Sequence, residues 1–152
     1  MKFRKAVKQD LPVLNHISVT SKRHWGYPEE WIQAWIKELT LTPSDLNSMG
    51  TLLMEFEQKT IGFCAIKDQG KQYEVMHLWI LPEFIGKGYG KILLKETFSA
   101  FILEQKPIWV LSDPNAESFY KKRGFNTFKK VESFPKGRYL PLMKMISFFE
   151  DG

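Results

Sequence analysis

The sequence predicts one α/β domain built on a mixed central β-sheet of about seven strands, with helices on both faces. Three observations predict it. Short β-rich runs alternate with helical patterns along all 152 residues. A strand, a glycine-rich loop and a helix follow one another without a gap from Glu74 to Phe101. No repeat, low-complexity stretch or linker divides the chain, and its length suits a single domain with a sizeable core.

Each element has a local reason. Phe3 to Val7 alternates loosely and reads as the first strand. Asp10 caps a helix with Pro12 in its first turn and Leu11, Leu14 and Ile17 on one face, and this helix fades around Ser21. Gly26 and Pro28 punctuate the next stretch. Pro28 starts a second helix, whose apolar stripe is Trp31, Ile32, Trp35, Ile36 and Leu39. Pro43 and Ser44 begin a polar connection to Gly50. Thr51 to Phe56 and Thr60 to Ile66 form a hairpin that turns at Gln58 and Lys59. After a second turn, Asp68 to Gly70, comes the long strand Gln72 to Leu81, which ends at Pro82. A helix from Gly88 to Lys106 places Leu94, Phe98, Phe101 and Ile102 at helical spacing, and Pro107 breaks it. Ile108 to Leu111 is a short strand of the buried type. Asp113, Pro114 and Asn115 start another helix, which Gly124 closes. Phe125 to Val131 and Arg138 to Ile146 are the last two strands, joined around Pro135 and Gly137.

The loop after the long strand carries Gly86, Gly88 and Gly90. Glycine lets a backbone approach a ligand closely, because no Cβ intervenes. The free N–H groups of the following helical turn, with the helix dipole, attract an anion. The spacing is GxGxG, not the GxGxxG of a dinucleotide fold, and the absence of GxxxxGK[ST] excludes a nucleotide P-loop at this site. A tight strand-to-helix connection with no ligand accounts for the same three glycines equally well.

The formal charge is +5 and the pI about 9.2, which suits an anionic small ligand or a nucleic acid. No helix-turn-helix pattern, zinc-ligand spacing or long basic stripe supports the nucleic acid, so no nucleic-acid partner and no metal are expected. Cys64 is the single cysteine, so no internal disulfide forms and a reducing compartment is expected. With no apolar run of membrane-spanning length and no basic-then-apolar leader, the expectation is a cytoplasmic protein without a membrane partner.

Two motifs carry a resemblance. ILPEFIGKGYGKILL is similar to the strand–loop–helix signature [QR]xxGx[GA] of the GCN5-related N-acetyltransferases, the acetyl-CoA-dependent GNAT superfamily. NAESFYKKRGF resembles the late helix of that family, which ends Tyr-x-Lys-x-Gly-Phe, here Tyr120, Lys122, Gly124 and Phe125. The element order is similar over nearly the whole chain. There are two departures. Ile85 stands where the family has Arg or Gln, which leaves the phosphate contacts to backbone N–H groups. The register of the family Asn falls on Asp113, with Asn115 the nearby amide.

The resemblance implies a GNAT-like, splayed sheet and transfer of an acetyl group from acetyl-CoA, as co-substrate, to a primary amine. The diphosphate would sit on Gly86, Lys87, Gly88, Tyr89, Gly90 and Lys91. The pantetheine arm would add as a pseudo-strand beside Leu78, Trp79 and Ile80, with Asn115 or Asp113 touching it. Tyr120 would protonate the leaving thiolate. An ammonium with an ordinary pKa of about 10.4 must lose a proton before it attacks. Glu74 is the candidate base, and His77, expected on the opposite face of the strand, or a water are the others. Trp25, Tyr27 and Arg138 are the candidate acceptor-binding residues. The acceptor is a small molecule or peptide, the assembly a monomer or homodimer. A CoA-binding sensor without turnover is the alternative reading.

Overall fold

The computed structural model describes residues 1–148. Seven strands form one sheet: β1 (Lys2–Lys5), β2 (Gly50–Phe56), β3 (Lys59–Asp68), β4 (Tyr73–Ile80), β5 (Ile108–Leu111), β6 (Asn126–Ser133) and β7 (Arg138–Met145). Their spatial order is β1-β2-β3-β4-β5-β7-β6. Only β4 and β5 pair in parallel; the other neighbours are antiparallel. The helices are α1 (Leu11–Arg23), α2 (Glu29–Leu39), α3 (Pro43–Ser48), α4 (Tyr89–Phe101) and α5 (Glu117–Lys122). This is the expected mixed α/β architecture.

Strand alternation divides the core in two. Cys64, Ile66 and Val75 face Leu93, Leu94 and Phe98 of α4 on one side of the sheet. Leu53 and Phe63 meet Leu14 and Ile17 of α1 on the other. Ile32, Trp35 and Leu39 of α2 complete that second layer. At about 25 cal/mol per Å² of apolar surface, each such fully buried side chain contributes about 1.5–3 kcal/mol.

Four elements differ from the sequence expectation. The stretch after Thr42 is helical, because Thr42 accepts the Asp45 N–H while Asp45 accepts the Thr42 N–H, a reciprocal cap. The hairpin turns at Glu57 and Gln58, both at positive φ, one residue earlier than expected. The helix after the glycine loop ends at Phe101, not Lys106. Ile102 is extended, and the Tyr73 hydroxyl accepts the N–H groups of Leu103 and Glu104, each at 3.2 Å. Helix α1 runs on to Arg23, because Ser18, Ser21 and Lys22 continue its inward face in helical register.

Two irregularities open the middle of the sheet. Strands β4 and β5 pair only from Tyr73–Ile108 to Val75–Val110, and beyond that they part. A bulge at Met76 shifts the β3–β4 register, so that Ile66 opposes Val75 while Ala65 opposes His77.

Candidate active site

The fork between β4 and β5 is a cleft of about 520 Å³, within the range of small-ligand sites. Leu78, Trp79 and Ile80 line one wall of it. Ser112, Asp113, Asn115 and Tyr120 come from the β5–α5 segment on the other side. The glycine loop closes one end with Gly86, Gly88, Tyr89, Gly90 and Lys91.

That end is built to take an anion. Gly88 is the N-cap of α4 in the left-handed region, φ +83, and no side chain caps the helix. The N–H groups of the first turn therefore point outward without an intrahelical partner. Nothing approaches within 4 Å of where a Cβ on Gly86 or Gly88 would stand. Lys91 lines the same end, whereas Lys87 is exposed outside the cleft lining.

Tyr120 sits deeper. Its ring packs edge-on against Phe119 and Phe125, at 5.2 Å and 5.4 Å. The residue is 5% exposed yet lines the cleft. Burial holds the phenol well above its ordinary range, so it is a protonated donor at any physiological pH.

The two base candidates are placed differently from the sequence expectation. Glu74 lies at the start of β4, opposite Lys67 and 3.4 Å from the Gln69 amide nitrogen, and is outside the cleft lining. Its carboxyl is raised by burial, but it is two residues short of the fork. His77 does line the cleft. The bulge at Met76 brings His77 onto the same face as Glu74, since Lys67 and Ala65, their partners, share a face; simple alternation would have opposed them. The Trp79 indole donates to His77 Nδ1 at 3.1 Å, so the neutral ring carries its proton on Nε2. Burial pushes this imidazole down to about 4. His77 is thus a neutral donor with no lone pair free for an amine proton.

Beside the cleft, five side chains converge from four parts of the chain. Lys22 of α1 donates to Asp113 Oδ2 at 2.5 Å, and the Tyr27 hydroxyl lies 3.1 Å from both Asp113 oxygens. Asn115 donates its backbone N–H to Asp113 at 2.8 Å and its amide to Asp113 and Tyr27 at 2.9 and 3.0 Å. Arg138 Nη2 reaches Tyr27 and Asp113 at 3.3 and 3.4 Å. Both cations also lie over the Trp35 ring, at 4.7 and 4.5 Å. Burial alone would raise the Asp113 carboxyl, but the Lys22 ammonium and these donors hold it below the usual range. Burial lowers Lys22, opposed by Asp113. Trp25 lines the cleft, whereas Tyr27 and Arg138 are held in this cluster outside the lining. The Asn115 amide donors are likewise spent inside the cluster.

The buried charge of Lys22 escaped the sequence reading. Its only signal was the helical register that runs from Leu14 through Ser18 to Ser21 and Lys22. Ser21 belongs to the same face and donates to the Ile80 carbonyl at 3.1 Å, fastening α1 to the free part of β4.

Known proteins are similar to this chain in sequence and in fold. Residues 48–127 match the family model described as an acetyltransferase (GNAT) domain. The spermidine N(1)-acetyltransferase of Thermoplasma acidophilum is 30% identical over 142 residues, covering 82% of this chain and 88% of its own. Among solved structures, the PaiA N-acetyltransferase of Thermoplasma acidophilum in complex with coenzyme A superposes with a TM-score of 0.73 at 24% identity, over 95% of this chain and 98% of that one. A GCN5-related N-acetyltransferase from Rhodopseudomonas palustris gives a TM-score of 0.75 at 21% identity, over 95% and 94% of the two chains. These last two likenesses concern the fold.

Proposed function

The chain belongs to the GNAT acetyltransferase family, and from that premise we propose that it moves the acetyl group of acetyl-CoA directly onto a primary amine in a ternary complex. One observation carries the reading. The uncapped N-terminus of α4 and the phenol of Tyr120 open onto the same cleft, at the point where β4 and β5 separate.

In this reading the first-turn N–H groups of α4 hold the diphosphate, with Lys91 adding charge. The pantetheine arm lies along the free part of β4, from Leu78 to Ile80, and brings the thioester to Tyr120. The amine nitrogen attacks the acetyl carbon, the carbon–sulfur bond breaks, and the sulfur takes the Tyr120 hydroxyl proton. Among the described residues, no free carboxylate lines the cleft, and His77 has no free lone pair. The proposal therefore gives the amine proton to a water in the open mouth. Glu74, outside the lining, has no part in the transfer.

Release of free thiol from acetyl-CoA with a panel of amines tests the reading. It predicts amine-dependent release, and a drop in kcat of at least about tenfold in Tyr120→Phe with acetyl-CoA affinity unchanged. Saturable acetyl-CoA binding without turnover of any amine would reject it in favour of a non-catalytic CoA-binding module.

A further inference from the structure

The acceptor half of the cleft narrows the class of amine. We infer that the acceptor is a monoamine with a flat apolar body, an arylalkylamine in chemical class, and not a polyamine; this rests on the transferase reading above.

The first ground is charge. Among the described residues, Asp113 is the only carboxylate that lines the cleft. Both of its oxygens are already taken, by Lys22, Tyr27, Asn115 and Arg138. A polyamine held by one end would bring a second ammonium into the cleft. An ammonium that gives up water to enter the lined part of the cleft needs a carboxylate partner, and among the described residues that line it none is free. The nearest fixed charges behind Asp113, Lys22 and Arg138, would repel it.

The second ground is independent of charge. Val75 and Val110 are the last paired residues of the fork. The next on each strand, Met76 and Leu111, are 39% and 40% exposed, and both line the cleft. Trp25, in the same lining, is 43% exposed. With Ile85, also 40% exposed in the lining, four large apolar side chains are left open around one concavity and mark a surface that a ligand covers. With the pantetheine arm along Leu78 to Ile80, the Trp25 indole is left to offer a face or edge for an aromatic ring.

The test compares 2-phenylethylamine, n-butylamine and spermidine in two ways. One is kcat/KM by thiol release, the other calorimetric binding to protein loaded with coenzyme A. The expected kcat/KM for 2-phenylethylamine exceeds that for spermidine by at least about tenfold. Trp25→Ala lowers the ratio of 2-phenylethylamine to n-butylamine by at least about fivefold, and Trp25→Phe restores most of it. Spermidine equal to or better than 2-phenylethylamine overturns the inference, as does a ratio that Trp25→Ala leaves unchanged. If no amine is turned over, the transferase reading fails by itself, and the binding order decides: tighter 2-phenylethylamine upholds the apolar monoamine site, and equal or tighter spermidine overturns it.

Discussion

Replacing Gly88 by Ala separates the strain of the glycine loop from its contact with a cofactor. Gly88 has φ +83 and ψ 6, and no heavy atom stands within 4 Å of a Cβ built there. The added methyl group therefore meets no protein atom, and the folded state bears only the left-handed conformation, about 1–2 kcal/mol for an L-residue. A domain of this size loses about 2–4 °C in Tm per kcal/mol, so the variant melts about 2–8 °C lower and still folds. In the proposed complex the diphosphate of coenzyme A approaches the α4 N–H groups beside this residue. A hydrogen bond to a charged group is worth about 1.5–3 kcal/mol, so displacing one raises Kd at least about tenfold. Calorimetric titration with coenzyme A measures this. Gly137→Ala is the matched control: φ is +91, the Cβ space is open, and the residue is outside the cleft lining. If Gly88→Ala and Gly137→Ala bind coenzyme A equally well while both lose Tm, the phosphate site is elsewhere and the reasoning fails.

Further predictions concern the two base candidates. His77 titrates at about 4 in the folded protein against an ordinary 6.5. Below about pH 6.5 the unfolded chain takes up a proton that the folded one refuses, so stability falls with pH between about 6.5 and 4, by about 3 kcal/mol in full. Chemical denaturation of His77→Gln beside the parent at pH 7 and 4.5 should show a shallower loss in the variant; equal losses would place the burial cost elsewhere. Glu74→Gln should leave kcat within about twofold of the parent across pH 6–9, because general-base loss would cost about 10²–10⁴. A loss that deepens as pH falls would restore Glu74 as the base.

The sheet, the glycine loop and the Tyr120 helix were legible in the sequence because each is encoded locally. Pro82 and Pro107 bound the elements around α4, the three glycines mark its start, and Gly124, at φ +99, closes α5. The placement of Glu74 and His77 was not legible. Their relation depends on a one-residue bulge at Met76, and a bulge in a strand with no glycine leaves no mark in alternation. The cluster at Asp113 was hidden for another reason. Lys22 and Tyr27 lie far along the chain from Asp113 and Arg138, and a buried ion pair has no sequence period. Helix α3 was legible in principle, since Thr42 and Asp45 form a capping box, but its six residues are too few to show a helical stripe.

In the proposed complex, main-chain amides at the start of α4 hold the diphosphate of coenzyme A. Amide chemical shifts recorded during titration with coenzyme A, and separately with pantetheine, which lacks the diphosphate, test it most directly. The amides of Gly88, Tyr89, Gly90 and Lys91 should move most with coenzyme A and hardly at all with pantetheine. Saturable coenzyme A binding that leaves those four amides in place would contradict it.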